Sequence, residues 1–189
     1  TSELSRLSAT SGTAGWQQIS PALWDVILRA QQAYQKSKGA FDITIGPLSQ
    51  LWRKARKNKL FPLEDSVKAK KKMVGFDQLM INKCEQKIRL PMAGMRLDLG
   101  GIAQGYIAQK VIDRLIEKGI TTALVDAGGD IVTSRAPPGT TGWVIGVNVP
   151  QTTDEFLPRK LLLQNMAVTT SGDAYQYFEH NNKKYSHWK

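Results

Sequence analysis

The sequence predicts an α+β fold: a mixed, largely antiparallel sheet packed against several helices. Two stretches carry clear helical periodicity, while short strand-like runs crowd the second half of the chain. Hairpin signals occur beside strand-to-helix junctions, so the regular alternation of a doubly wound sheet is missing. At 189 residues the chain can bury one good core and is short for two ordinary domains, so residues 1–189 read as a single domain.

In chain order, Ser20-Pro21 reads as an N-cap followed by proline at the first helical position. Leu23, Val26, Ile27, Ala30 and Tyr34 then recur at helical spacing up to Gly39, with Trp24 and Tyr34 as core or rim residues. Residues 49–75 read as a helical insertion, with Leu51, Trp52, Ala55, Val67 and Met73 inward and a basic run at the surface. Asn82–Gln86 is a hairpin turn carrying Cys84. A strand is expected at Arg96–Leu99, then a helix from about Ile102 to Lys118 ending at Gly119, its apolar face made of Ile102, Tyr106, Ile107, Val111, Leu115 and Ile116. Further strands are expected at Thr122–Ala127, Trp143–Val149, Lys160–Leu163, Met166–Thr170, Tyr175–Phe178 and Lys184–His187, the last two joined by a His180–Lys183 hairpin turn.

Composition narrows the function classes. Hydrophobic content of 41% and charged content of 22% are globular values. The single cysteine excludes an intramolecular disulfide and a cysteine-based zinc site. No apolar run approaches the ~20 residues that span a bilayer. The net charge of +10 is concentrated: from Arg53 to Lys72 nine basic residues face only Glu64 and Asp65. Such a run reads first as a solvated face and next as a surface for anionic lipid or an acidic protein. It holds a single aromatic, Phe61, among its nine cations and no recognised binding motif, which argues against nucleic acid.

Chemistry concentrates at three junctions where a strand runs into small residues: Leu97-Asp98-Leu99-Gly100-Gly101, Val125-Asp126-Ala127-Gly128-Gly129-Asp130 and Val168-Thr169-Thr170-Ser171-Gly172-Asp173. The first opens a helix. A helix N-terminus offers unpaired N–H groups and the positive end of the dipole, and glycine lets a ligand approach the backbone, so an anion cradle is expected there. Neither of the better-known phosphate signatures is present. Read locally, the glycine pair serves equally well as a tight turn, and Asp98, Asp126, Asp130 and Asp173 serve equally well as turn caps.

Along its whole length, however, the chain resembles the ApbE family of FAD:protein FMN transferases. The resemblance is carried, in order, by Ser2-Glu3-Leu4-Ser5-Arg6-Leu7, Gly39-Ala40-Phe41-Asp42-Ile43-Thr44-Ile45-Gly46-Pro47-Leu48 with Leu51-Trp52, Leu97–Tyr106, Asp126–Ile131, Thr170-Ser171-Gly172-Asp173 and Tyr185-Ser186-His187. The resemblance implies an α+β fold and a Mg²⁺-dependent transfer of FMN from FAD to a threonine hydroxyl, with release of AMP. It implies a flavin site containing Ala40, Phe41, Asp42, Asp98, Gln104, His187 and Trp188, with His187 assisting deprotonation of the acceptor hydroxyl. It also implies a magnesium ion on the backbone carbonyl of Gly101, whose remaining ligands lie in a family segment that this chain lacks. Acceptors are expected to be membrane redox complexes, and the location the bacterial periplasm or the outer face of the inner membrane, with a lipid anchor in the full-length form. Because the family's export signal, Ile-Asp-Pro turn and Asp-Ala-Leu-Ala-Thr segment have no counterpart here, the chain is expected to be a fragment.

Two departures matter. Gln104 stands where the family commonly has lysine, and Trp188 where it has isoleucine. An amide can donate hydrogen bonds but cannot neutralise a pyrophosphate, which favours flavin binding over turnover. The alternatives to a transferase are therefore a flavin-storage protein of the same fold and an FAD pyrophosphatase in which water replaces threonine.

Overall fold

The computed structural model describes residues 2–147, 159–169, 177–180 and 183–186. The chain forms two compact units, Thr1–Ile102 and Ala103–Lys189.

The first unit carries helices α1 (Glu3–Ala9), α2 (Pro21–Lys36), α3 (Gly46–Asn58) and α4 (Glu64–Lys71), with a three-stranded antiparallel sheet. Strand β3 (Lys87–Arg89) lies between β1 (Gln17–Gln18) and β2 (Met80–Asn82), with Ile88 paired to both Gln17 and Ile81. As the sequence predicts, Ser20 caps α2, its Oγ accepting from Leu23 N at 3.3 Å. One face of α2 is buried through Leu23, Trp24, Val26, Ile27 and Ala30. Ile27, Ile43, Ile88, Leu90 and Met95 are sealed from solvent at the centre of this core. The expected helical insertion is present as α3 and α4.

One expected element is corrected. Arg96–Leu99 is not a strand: only Arg96 makes a parallel bridge, to Ile45. The backbone there bonds to other partners, Leu97 N to Ser8 Oγ at 3.2 Å and Asp98 N to Ile43 O at 2.7 Å, so no ladder propagates. Gly46 is required at this crossing, since a β-carbon on it would lie 2.4 Å from Arg96 O.

The second unit opens with α5 (Ala103–Glu117), which packs on the antiparallel sheet β4 (Leu124–Asp126), β5 (Ile131–Thr133) and β8 (Ala167–Val168), with β5 in the middle. The unit also contains two separate antiparallel pairs, β6 (Trp143–Val147) with β7 (Arg159–Leu163), and β9 (Tyr177–His180) with β10 (Lys183–Ser186). His180 opposite Lys183 closes the expected hairpin. The apolar face assigned to α5 is also corrected. Ala108 and Ile112 are the buried residues, packed with Val132, Ala123, Val125 and Ala127, whereas Ile107, Val111 and Ile116 are exposed. Small side chains on both helix and sheet let the two approach closely, and the helix turns to bring them together.

Candidate functional site

In the first unit, three separated segments of sequence meet. Helix α1 supplies Ser5 and Ser8, α3 supplies Gln50 and Arg53, and the segment after Met95 supplies Arg96 and Asp98, and together they line one small polar cleft. Ser8 is buried and its hydroxyl accepts from Leu97 N. The Gln50 side-chain oxygen accepts from the Arg96 guanidinium.

Asp98 is the best-held acid of this cleft. Its Oδ2 accepts from Arg53 Nη2 at 2.8 Å and its Oδ1 from Gly100 N at 2.9 Å. The Asp98 side chain is 16% exposed and that of Arg53 62%. One carboxylate oxygen thus caps the glycine turn and the other holds an ion pair with the protein's own Arg53. The same geometry narrows the expected anion cradle, because the Gly100 amide is already taken by Asp98 and the Ile102 amide by Leu99 O. Arg53 is the residue that sequence reasoning missed. Within a run of nine cations nothing distinguishes it, and only the fold brings it to Asp98.

Phe41 and Gly101 are brought together: a β-carbon added to Gly101 would lie 3.2 Å from Phe41 Cε2. Phe41 is half-buried and its amide donates to Ser37 Oγ at 2.9 Å, while Ala40 is exposed beside it. Asp42 turns the other way. Its Oδ1 accepts from Thr44 N at 2.7 Å and Thr44 Oγ1 at 2.6 Å, and its Oδ2 from Phe76 N at 3.0 Å. Thr44 is fully buried and accepts in turn from Gly75 N at 2.8 Å. The Asp42 carboxylate therefore fastens the loop that leads into the Phe76–Gln78 turn.

In the second unit, Gln104 stands in the first turn of α5 and spans to the second glycine junction, donating through Nε2 to Ala127 O and, at 3.4 Å, to Gly128 O. That junction is a tight turn. Ala127 N donates to Asp130 O at 2.9 Å, Asp126 Oδ1 accepts from Gly129 N at 2.8 Å, and Gly128 has φ +72°. A left-handed backbone of this kind is inexpensive only for glycine. Asp130 accepts from Thr169 Oγ1, tying the turn to the start of the third junction. Asp126 and Asp130 thus act as turn fasteners. Asp173, His187 and Trp188 lie outside the described residues.

Magnesium takes oxygen ligands in near-octahedral order, usually including one or two carboxylates. Among the described residues no group of three or more His, Cys, Asp or Glu side chains gathers, and the Asp98 oxygens are already engaged. The described residues therefore do not form a metal cage by themselves.

Comparison with known proteins gives a consistent result. The model of the ApbE family matches residues 1–188. The FAD:protein FMN transferase of Klebsiella pneumoniae (strain 342) is 30% identical over 169 residues, covering 89% of this chain and 52% of that protein. The FAD:protein FMN transferase of Haemophilus influenzae is 28% identical over 191 residues, covering 98% of this chain and 55% of that protein. The chain spans about half the length of these relatives. Among solved structures, the ApbE protein of Thermotoga maritima matches with a TM-score of 0.85 at 27% identity, over 98% of this chain and 60% of that one. The Pseudomonas stutzeri flavinyl transferase ApbE in its apo form matches with a TM-score of 0.82 at 28% identity, over 98% and 57% respectively.

Proposed function

The chain belongs to the ApbE family, and from that premise we propose that it is the flavin-handling part of an FAD:protein FMN transferase. The family match over residues 1–188, together with relatives that are named for this reaction, is the observation that carries the reading.

In the proposed reaction, the hydroxyl oxygen of an acceptor threonine attacks the FMN phosphorus of FAD. A new phosphoester bond forms, the anhydride bond breaks, AMP leaves with the bridging oxygen, and the hydroxyl proton passes to a base. Catalysis of this type rests on alignment of the reactants and on neutralising charge at phosphorus. Phe41 offers a half-buried aromatic wall for the flavin, with Ala40 at its edge, and the glycine at 101 leaves room beside that ring. Asp98, fixed by Arg53 and Gly100, is rigid enough to orient a polar group of the dinucleotide. Asp42 contributes by holding the Phe41 loop in place. Gln104 offers an amide in the first turn of α5, and His187 and Trp188 are assigned to the base and the pocket edge from their place in the family pattern.

Magnesium, when bound, would screen the phosphate oxygens. Gly101 is the assigned carbonyl donor, and the carboxylate ligands would come from outside the described residues. We place the reaction on the extracytoplasmic side of a bacterial inner membrane, with redox complexes as acceptors and attachment to the membrane through a lipid anchor. Incubation of the protein with FAD, Mg²⁺ and a threonine-bearing acceptor peptide, read by mass spectrometry, tests the proposal. A covalent FMN adduct on the threonine is expected. Free FMN and AMP without acceptor would instead establish a pyrophosphatase, and tight FAD binding with neither product a storage protein, the reading that Gln104 favours.

A further inference from the structure

We propose that the α3–α4 hairpin is a docking surface for an anionic lipid bilayer, with Leu60 and Leu63 entering the headgroup region and the basic residues at the C-terminal ends of the two helices engaging phosphate. Leu60 is 69% exposed and Leu63 75%, the highest values among the large hydrophobic residues described. Both sit in the connector between the two helices that carry the basic run. Arg56, Lys57 and Lys59 precede them, and Lys70, Lys71 and Lys72 follow at the end of α4.

The local backbone is shaped to present this tip. Helix α3 stops at Lys59, whose left-handed conformation (φ 53°) turns the chain outward, with Leu60 N donating to Ala55 O at 3.1 Å. Leu63 occupies the N-cap of α4 and makes no side-chain cap bond. A serine or aspartate there would stabilise the helix, so the sequence forgoes a cap to keep an apolar side chain in solvent. Helix α4 buries none of its residues. A helix without a buried face gains little from the domain, and its charge and position suit an outside surface.

Lipid is favoured over protein or nucleic acid by chemistry. Five of these six cations are lysines, compact point charges that suit a fluid array of phosphates, where a carboxylate partner would favour the arginine fork. The only carboxylates in the segment are Glu64 and Asp65, and Glu64 is paired with Lys68 at 2.7 Å. The aromatic groups at hand are few, Trp52 and Phe61, and they pack edge-to-face with each other at 5.4 Å rather than forming a row of parallel rings on which successive bases could stack. Exposed apolar residues carried on the same hairpin as two basic helix ends suit an interfacial contact.

The test is sedimentation of the 189-residue chain with vesicles of phosphatidylcholine alone or mixed with phosphatidylglycerol. Binding to the mixed vesicles is expected to exceed binding to the neutral ones by at least about tenfold and to weaken with salt. Leu60→Ser with Leu63→Ser should lower that binding by about fivefold, and Lys70→Glu with Lys71→Glu and Lys72→Glu should abolish it, with circular dichroism unchanged because all five side chains lie outside the core. Equal binding to both vesicles overturns the proposal. So does an equal loss from Lys36→Glu, Lys83→Glu and Lys118→Glu, which would reduce the effect to net charge. Capture of polyglutamate that survives the leucine changes, without vesicle binding, would assign the surface to an acidic protein and also overturn it.

Discussion

Phe41 and Gly101, from two separate segments of the chain, stand so close that a single added methyl group would press within 3.2 Å of the aromatic ring. Gly101→Ala is therefore expected to push the Phe41 ring aside rather than to unfold the protein, because the glycine is exposed and Phe41 is only half-buried. Affinity for FAD, read by flavin fluorescence titration, should fall about tenfold, or roughly 1.4 kcal/mol, while the urea midpoint stays near that of the parent. An unchanged affinity would remove Phe41 from the proposed flavin site.

Asp42 predicts the opposite pattern. Its carboxylate accepts from Thr44 N, Thr44 Oγ1 and Phe76 N, and every one of those donors belongs to the protein. Asp42→Asn places an amide N–H₂ where only acceptors are satisfied, and the unfolding free energy should drop by about 2 kcal/mol. At temperatures where the variant is folded, FAD affinity should change little. A large affinity loss without destabilisation would show that Asp42 contacts the flavin directly.

These two residues also show what was legible before the fold was known. Local signals located the α2 cap at Ser20, the Asn82–Gln86 turn and the start of α5, because capping, turn chemistry and periodicity act within a few residues. The partners of Asp42 and Asp98 were not legible. Arg53 is one of nine cations in its run, and its pairing with Asp98 exists only because α3 is laid beside Arg96, where Gly46 lets the two backbones meet. The strand expected at Arg96–Leu99 failed for the same reason: its amides bond to Ser8 and Ile43, contacts that no period in the sequence records. The buried face of α5 was misjudged because large apolar residues were weighted above Ala108, although close packing on the sheet favours the small side chain.

Glu3 gives a prediction in pH. Ser20 donates to it twice, from Oγ to Oε2 and from N to Oε1, each at 2.6 Å, so the acid of α1 fastens the cap of α2. The Ser20 hydroxyl bond first, and then its amide bond, hold the Glu3 carboxyl below its ordinary value. A lowered folded-state value means that the unfolded chain takes up protons first on acidification. The stabilisation is therefore complete above the ordinary glutamate range near ~4.3 and is lost as pH falls through the folded-state value. In urea unfolding, Glu3→Gln should be less stable than the parent at pH 7, with the gap closing as pH drops below about 4. Ser20→Ala removes both the cap of α2 and the partner of Glu3, and should cost about 1 kcal/mol or more at neutral pH. A gap that is constant with pH would show that the Glu3 charge does not contribute.

Gln104 separates an enzyme from a store. Its amide donates to Ala127 O and Gly128 O, so it braces the second glycine turn from the first turn of α5. A lysine ammonium has three donors and can meet the same carbonyls, so Gln104→Lys should keep the turn while adding a positive charge at a helix N-terminus. If the chain is an enzyme slowed by the missing charge, that variant should transfer FMN to an acceptor peptide about tenfold faster, a change of roughly 1.4 kcal/mol in the barrier. Its FAD affinity should stay within about threefold, because a charge that acts on the transition state raises the rate more than it tightens ground-state binding. Gln104→Ala is the complementary variant. It should lose at most about 0.5 kcal/mol of stability, because both carbonyls are exposed and water takes the place of the lost donor, and it should not gain rate. Tight FAD binding by the parent and the lysine variant, with no adduct from either, would retire the transferase reading and leave a protein that holds flavin without passing it on.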